Sequence, residues 1–321
     1  MRLAIVAGKA NPLSCFRSSK AATMLLAAPL LLACSGDPGT SPVDEDSGRN
    51  DALVSPDQSS AKDGSVADTS VVDSAPRGDA GPAADRQKPI SIDSKVAPPN
   101  GYWEYLPPYY DGTTQVPLLV FWHGLGENGN GIYFADAGTG DLKKVLANGP
   151  PKLIAANQWP NERPFIVLSP QHSNGGCPSA DEIDKFITFA LGHYAVDPKR
   201  IYLTGLSCGA IGSWQYVTKY KDKAVAATLV ISGDPGNAWA ADGCSLVTDL
   251  ALWSVHGDKD PTVAYQPDHD ELQNLLACPK PRANVRWNEV VNGGHDVWTT
   301  TYDLSAGRGD VYAWMLANPK P

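Results

Sequence analysis

The sequence lacks features that several classes of protein require. It contains no C-x-x-C pair and no comparable Cys/His spacing, which argues against a zinc site. Basic residues are outnumbered, with 26 Lys and Arg against 35 Asp and Glu, so the formal net charge is −9. Because nucleic acid and anionic membrane surfaces bind through positive charge, this acidity argues against both as partners.

A hydrophobic run long enough for a permanent transmembrane helix is also lacking, and residues 1–33 instead predict an export signal. Basic but no acidic residues precede the apolar run Ala21–Ala33, which is too short to span a bilayer. The run ends in Leu31–Cys34, which resembles the lipobox of bacterial lipoproteins. The resemblance implies cleavage before Cys34, its acylation, and a protein exported and lipid-anchored at the outer membrane, cell surface or periplasm. An ordinary secretory signal, or an apolar N-terminal helix with an incidental cysteine, is the alternative.

Residues 34–95 predict a disordered acidic tether. Ser35–Lys95 is built from Asp, Ser, Ala, Gly and Pro and contains no aromatic residue. Such a segment cannot bury enough apolar surface to offset its chain entropy. The tether would hold one folded domain, residues 96–321, away from a membrane. A binding tail for a cationic partner is less favoured, because the acidic residues are dispersed rather than blocked.

The domain alternates short apolar runs with amphipathic stretches. Asp181–Tyr194 has helical spacing, which places Ile183, Phe186, Ile187, Ala190 and Leu191 on one face. Strands alternating with helices predict an α/β fold, a mostly parallel central sheet with helices on both faces. The predicted strands are Leu118–Trp122, Phe165–Leu168, Ile201–Leu203, Ala227–Ile231, Leu250–Val255 and Val285–Val291.

The pentapeptide Gly205–Gly209 matches the G-x-S-x-G pattern of a nucleophile elbow. It follows the predicted strand Ile201–Leu203 and precedes a plausible helix, Ile211–Tyr220. A serine exposed on a sharp strand-to-helix turn has a strained backbone, and side chains two residues to either side would collide across that turn. Glycine at both positions removes the collisions, so the context predicts Ser207 as a nucleophile.

A Gly-rich loop, His123–Glu127, directly follows the first predicted strand. Glycines allow backbone amides to approach a ligand oxygen closely, as the oxyanion of an acyl-transfer transition state requires. The candidate donors are the amides of Leu125 and Cys208. A plain tight loop is the alternative, and His123 is expected to shape the loop through ring hydrogen bonds.

A carboxylate pair follows another predicted strand, in the segment Val255–Pro261. Asp258 and Asp260 are both placed to orient a histidine and stabilise its imidazolium form. Either could instead cap a turn, which is the usual role of Asp beside Gly and Pro. His256 in this segment is expected to shape the loop rather than carry protons.

His295 lies in the Gly-rich loop Asn292–Trp298 after the last predicted strand, where it could reach a serine on another loop. All four segments follow strands, and in open α/β sheets the working groups collect at the carboxyl ends of strands. The chain order is then Ser207, Asp260, His295, the nucleophile–acid–base order of α/β-hydrolases.

Residues from about Gly101 to the end resemble the esterase branch of α/β-hydrolases. This branch includes feruloyl and acetylxylan esterases (carbohydrate esterase family 1) and poly(3-hydroxybutyrate) depolymerases. The resemblance favours Asp260 over Asp258, because the family pattern H-G-x-x-D has a valine three residues on, here Val263. The matching stretches are Pro117–Gly126, Asp197–Gly209, Val255–Val263 and Gly293–Tyr302.

The resemblance also bears on the tryptophans. It implies that Trp298 and Trp214 line or support the site, although core packing is preferred for Trp214. Trp298 and Trp122 lie near the proposed loops and favour a carbohydrate or aromatic-acyl substrate, so both are candidate substrate-binding residues.

Four cysteines of the domain could form two disulfides in an exported protein. They are Cys177, Cys208, Cys244 and Cys278, and four cysteines allow three pairings that the sequence does not resolve. Cys208 follows the predicted nucleophile, and a disulfide to Cys177 or Cys244 would stiffen the elbow while leaving the amide of Cys208 available. Free buried thiols are the alternative.

Together these residues predict a serine esterase in which Ser207 attacks an ester carbonyl, His295 takes its proton and Asp260 holds the imidazole. The substrates implied are feruloyl or acetyl esters of plant polysaccharides, or polyesters. No metal or organic cofactor is required. The predicted partners are the ester, free or carried on a polymer, and the membrane at the Cys34 anchor. The chain is predicted to be a monomer. A serine peptidase of the prolyl-oligopeptidase kind and a non-catalytic glycan-binding surface lipoprotein are the alternatives.

Overall fold

The computed structural model describes residues 81–173, 175–247, 250–279 and 284–321. Within them, eight strands form one sheet in the order β1-β2-β4-β3-β5-β6-β7-β8, listed below. The strands are β1 (Gln87–Ile90), β2 (Tyr102–Tyr105), β3 (Val116–Trp122), β4 (Ile166–Pro170), β5 (Val196–Leu206), β6 (Ala227–Ile231), β7 (Ala251–Gly257) and β8 (Val285–Val290). β3 to β8 pair in parallel, whereas β1 and β2 run antiparallel at one edge. The parallel strands therefore deliver their carboxyl ends to one side of the sheet.

Helices cover both faces of the sheet, as the alternation of elements predicts. They are α1 (Gly149–Ala155), α2 (Ala180–His193), α3 (Cys208–Tyr220), α4 (Ala238–Asp242), α5 (Tyr265–Leu276), α6 (Trp298–Tyr302) and α7 (Val311–Leu316). Successive side chains of β3 enter opposite cores: Val120 belongs to the core that includes residues of α2, α3 and α5, and Phe121 to the core that includes residues of α1, α6 and α7. This two-layer burial explains the continuous apolar runs in the sequence.

All six predicted strands are confirmed, with boundaries moved by a few residues. The N-terminal edge was not predicted. β1 lies inside the segment assigned to the tether and pairs with β2, so the folded domain begins before residue 96 and the tether boundary is corrected. β1 has no apolar run in the sequence because it is a half-exposed edge strand. An edge strand tolerates polar residues and a proline such as Pro89, whereas a central strand would not.

The predicted helix over residues 181–194 is confirmed as α2. It begins after Ser179, whose hydroxyl accepts a hydrogen bond from the amide of Glu182 and so caps the helix. Four of the five predicted core positions are buried, but Leu191 is 41% exposed. The apolar stripe that faces the sheet ends at Ala190, because the next position is rotated about 100° around the helix axis toward solvent.

The predicted signal (residues 1–33), the acylated Cys34 and the tether up to residue 80 lie outside the described residues. No helix in the described part of the chain is both long enough and apolar enough to cross a membrane. Two disulfides form, Cys177–Cys208 and Cys244–Cys278, which resolves the pairing that the sequence left open. Disulfides are compatible with an exported protein.

Candidate active site

Ser207 lies at the sharp turn between β5 and α3. Its backbone has φ 50° and ψ −118°, in the left-handed range of φ that a residue with a side chain rarely adopts. The turn is held because the amide of Ser207 donates a hydrogen bond of 2.9 Å to the carbonyl of Ile231, the last residue of β6. A strained, partly exposed serine held by a neighbouring strand is the geometry of a nucleophile elbow.

The two glycines of the elbow are required for different reasons. A Cβ on Gly205 would lie 2.4 Å from the carbonyl carbon of Gly209, which is the collision across the turn that the pattern predicts. A Cβ on Gly209 would lie 2.0 Å from the carbonyl oxygen of Trp122, at the end of β3. Gly209 is therefore also needed for the close approach of α3 to β3.

The structure brings Ser207, His295 and Asp260 together from three loops. His295 Nε2 lies 2.9 Å from Ser207 Oγ, and His295 Nδ1 lies 2.7 Å from Asp260 Oδ2. Because a carboxylate only accepts hydrogen bonds, Nδ1 carries the proton and Nε2 is free to accept the serine proton. This arrangement can deliver a serine alkoxide to a substrate carbonyl.

Asp260 is held as an anion by its own loop. Burial alone would raise the pKa of this fully buried carboxyl group, but the hydrogen bond from His295 and the amides of Thr262 and Val263 lower the pKa overall. Those amides donate to Oδ1 at 2.8 and 3.0 Å. Asp258 is the other candidate; its Oδ1 is buried without a hydrogen-bond partner among the described residues, and its amide donates to the carbonyl of Val290.

The loop with the predicted oxyanion donors lies against the elbow. A Cβ on Gly124 would lie 3.6 Å from Ser207 Cβ, so the start of the 3-10 turn Leu125–Glu127 adjoins the nucleophile. Leu125 and Cys208 each begin a helical segment, and the amide of such a residue has no partner within its own helix. Both amides therefore remain the candidate oxyanion donors.

His123 fixes this loop as a neutral imidazole. Its Nδ1 donates to the carbonyl of Gly124 at 2.6 Å, and its Nε2 accepts from the amide of His172 at 2.9 Å. Burial lowers the pKa of His123 to about 4, because a charged imidazole would lose its hydration there. The loop-shaping role expected for His123 thus has a geometric basis.

Of the three tryptophans considered for the site, one packs against His295 and two lie in the hydrophobic core. Trp298 packs edge-on against His295, with ring centroids 4.9 Å apart, and its Nε1 donates to Asn148 Oδ1 at 3.2 Å. Trp122 is fully buried against Phe186, so its assignment to substrate binding is wrong: by the alternation of β3 its side chain lies on the same face as Val120, in the core that includes α2 and α3. Trp214 is fully buried as well, in agreement with core packing.

Sequence reasoning missed Ser232, which positions the loop of His295. Ser232 directly follows β6, has φ 52°, and donates its hydroxyl to the carbonyl of His295 at 2.8 Å. Its amide donates to the carbonyl of Val255 in β7. Its place directly after a predicted strand was the available signal, but no motif marks it.

The Cys177–Cys208 disulfide joins the loop after β4 to the residue after the nucleophile. Replacing Cys177 with serine is expected to lower the free energy of unfolding by about 3–4 kcal/mol, since the bond closes a loop of roughly 30 residues. It should also lower kcat, because the start of α3 loses its covalent support. Thermal unfolding and ester hydrolysis below the transition measure the two effects.

The second disulfide provides the matched control. Cys278→Ser opens the Cys244–Cys278 bond, whose sequence separation of 34 is close to the 31 of the first. We expect a comparable loss of stability with kcat retained. An equal fall of kcat in both variants would show that the first bond has no special effect on the elbow.

A mostly parallel sheet covered on both faces, with a nucleophile elbow after β5, defines this chain as an α/β-hydrolase. The model of the phospholipase/carboxylesterase family matches residues 111–303, which is more than half of the chain. The chain therefore belongs to this family. The matched span contains Ser207, Asp260 and His295.

Solved structures agree with this fold. A thermostable esterase superimposes with a TM-score of 0.52 at 20% identity, over 74% of this chain and 64% of that chain. The acetyl xylan esterase from Aspergillus awamori gives a TM-score of 0.50 at 14% identity, over 71% of this chain and 99% of that one. Both identities are low, so these likenesses show the fold. No curated protein matches the chain.

Proposed function

We propose that this chain is a serine esterase, which hydrolyses carboxylic esters through an acyl-enzyme on Ser207. The observation that carries the proposal is the continuous hydrogen-bonded path from Ser207 Oγ through His295 to Asp260 Oδ2. Membership of the phospholipase/carboxylesterase family supports an ester as the substrate.

The reaction proceeds in two halves. In the first, Ser207 Oγ attacks the ester carbonyl as its proton passes to His295 Nε2, and the amides of Leu125 and Cys208 hold the oxyanion. His295 then protonates the departing alcohol. In the second half, water attacks the acyl-enzyme, His295 takes its proton, and Ser207 leaves as the free hydroxyl. Asp260 stabilises the imidazolium in both halves.

We propose that the substrates are acyl esters carried on a polysaccharide. Polyesters are the other substrate class to be tested. The sequence resemblance to feruloyl and acetylxylan esterases supports this class. A cavity of about 620 Å³ beside α3 also supports it, because part of its lining is polar. The cavity runs along α3 from Ile211, whose amide donates to the carbonyl of Ser207, and includes Gln215, Thr218 and Asn237, whose polar groups suit sugar hydroxyls.

Labelling by a fluorophosphonate probe tests the serine mechanism. We expect one phosphonylated residue, Ser207, found by peptide mass spectrometry. Asp260→Asn should be labelled far more slowly, because the imidazole loses the anion that fixes its tautomer, a change that costs about 10⁴-fold in related geometries. Asp258→Asn is the matched control in the same loop, and should be labelled at the rate of the unchanged chain. Labelling elsewhere, or equal effects of both substitutions, would contradict the assignment.

A substrate panel tests the class. Methyl ferulate, acetylated xylan, short hydroxyalkanoate oligomers and a peptide library are each incubated with the protein. We expect ester hydrolysis without peptide hydrolysis. Cleavage of peptides would favour a serine peptidase, whereas binding of xylan without turnover of any ester would favour a glycan-binding protein.

A further inference from the structure

Asp260 has a second imidazole partner behind the site. His256, near the end of β7, places Nε2 3.2 Å from Asp260 Oδ2 and Nδ1 3.0 Å from Asp268 Oδ2 in α5. The side chains of all three residues are completely buried. Buried groups of this kind are retained only where they are paired, so the cluster is a defined structure rather than a chance contact.

The contacts of His256 fix which nitrogen carries a proton. Nε2 also lies 3.2 Å from the carbonyl oxygen of Val263, and a backbone carbonyl can only accept a hydrogen bond. Nε2 therefore bears a hydrogen, which it shares between Val263 and Asp260. Asp260 Oδ2 thus accepts from two imidazoles, His256 and His295, while two backbone amides supply Oδ1.

Asp268 completes the pair from the other side of the ring. Its Oδ2 accepts from Ser254 Oγ at 2.6 Å, and its Oδ1 is buried without a partner among the described residues. Burial raises the pKa of Asp268. Burial alone would lower the pKa of His256, but Asp268 and then Asp260 raise it overall. The 3.0 Å contact between Nδ1 and Asp268 Oδ2 is a hydrogen bond, so one of these two atoms carries a hydrogen, and Nε2 keeps its own hydrogen whichever atom that is.

We propose that His256 and Asp268 are positioning residues of the same active site, which hold Asp260 through the Nε2–H of His256 and limit how strongly Asp260 binds the proton on His295. The proposal rests on the proposed serine-esterase function. Its physical basis is that a carboxylate oxygen shared by two donors is a weaker acceptor for each of them than one reserved for a single donor.

Other ionisable groups also face this pair and stay constant in the test. Tyr265 of α5 packs edge-on to the His256 ring at 6.0 Å and donates to Glu289 of β8 at 2.6 Å. Asp234, after β6, is a further negative charge that raises the pKa of Asp268. Because these groups remain unchanged, a shift of the pH profile on substitution at position 256 reports on His256.

Two substitutions at one position separate the two ring nitrogens. In His256→Gln the amide nitrogen replaces Nε2 and can still donate to Asp260, whereas in His256→Asn it replaces Nδ1 and reaches only Asp268. We expect His256→Asn to lower kcat/KM by about 10- to 100-fold, as for loss of one hydrogen bond to a charged group. The acidic limb of its pH profile of kcat/KM should move to higher pH, because Asp260 Oδ2 then accepts a hydrogen bond from His295 alone and holds the proton on His295 more strongly. His256→Gln should recover most of the rate and the original limb.

His269 supplies the matched control. It lies on the same helix, α5, and its Nδ1 pairs with Asp270 at 2.9 Å on the surface, so His269→Asn and His269→Gln should leave the profile unchanged. Thermal unfolding of each variant verifies that the compared proteins are folded. Equal kcat/KM and equal acidic limbs in His256→Asn and His256→Gln would overturn the proposal.

The outcome is separable from that of the proposed function. If Ser207 is labelled and required for turnover while the two His256 variants behave alike, only the positioning role fails. If Ser207 is neither labelled nor required, the proposed function fails and the positioning role fails with it.

Discussion

Replacing Ser207 with alanine is expected to lower kcat for a short p-nitrophenyl ester by about 10⁴- to 10⁶-fold, the range for loss of a triad nucleophile. In the proposed mechanism the Ser207 hydroxyl oxygen forms the bond of the acyl-enzyme, and alanine has no atom that can form it. The remaining oxyanion donors would still hold a substrate carbonyl, so a small residual rate above the uncatalysed reaction is expected.

Folding of the Ser207→Ala variant should be little changed, because alanine occupies the same left-handed position with no new contact. The control is Ser213→Ala on the same helix, which removes the hydroxyl that donates to the carbonyl of Gly209 at 2.8 Å. That control should keep kcat within a few-fold. Full turnover by Ser207→Ala, with mass spectrometry verifying the substitution, would contradict the assignment of the nucleophile.

Replacing Leu125 with proline is expected to lower kcat by about 100- to 1000-fold, the effect of removing one oxyanion donor. Proline deletes the amide N–H together with the leucine side chain, and the backbone accommodates it because position 125 begins a 3-10 turn, where proline is tolerated. Gly124, at φ −79° and ψ 179°, already has the extended conformation that a residue before proline requires. Compared with an alanine variant, which also loses the leucine side chain, the proline variant isolates the effect of the amide.

Leu125→Ala provides the comparison, since it keeps the amide and removes a side chain that is 55% exposed. We expect alanine to change KM for apolar acyl groups more than kcat, and proline to change kcat. Steady-state kinetics with acetyl and longer acyl esters measures both constants. Similar kcat values for the two variants would show that the amide of Leu125 is not an oxyanion donor.

The contribution of the sequence is largest where a local steric need dictates residue type. Gly205 and Gly209 flank Ser207 because neither position has room for a Cβ, and such a need appears as a short readable pattern. The apolar runs of β3, β6 and β7 are equally readable, since strands buried on both faces admit few polar residues. These local requirements were enough to predict the α/β-hydrolase fold and the order of the candidate site residues.

Contacts between segments that are distant in the chain could not be predicted from such local patterns. Trp122 and Trp298 both stand near loops of the site in the sequence, yet one points into the core and the other packs on His295. Both faces of β3 are covered, so what a side chain meets there depends on how distant elements pack on the sheet, and no local pattern reports that. The composition of β1 likewise does not predict a strand. β1 forms because it pairs with β2, which lies later in the chain.

The sequence by itself thus determined the chemical groups, their chain order and the elements that carry them. Only the tertiary structure decided that Cys177 pairs with Cys208 and that Asp268 hydrogen-bonds His256, and it alone shows the hydrogen bond from His295 to Asp260, the carboxylate that the resemblance favoured. The physical reason is the range of the interactions: a turn or strand is specified by neighbours in the chain, whereas a hydrogen bond between loops depends on where separate elements meet in the packed sheet.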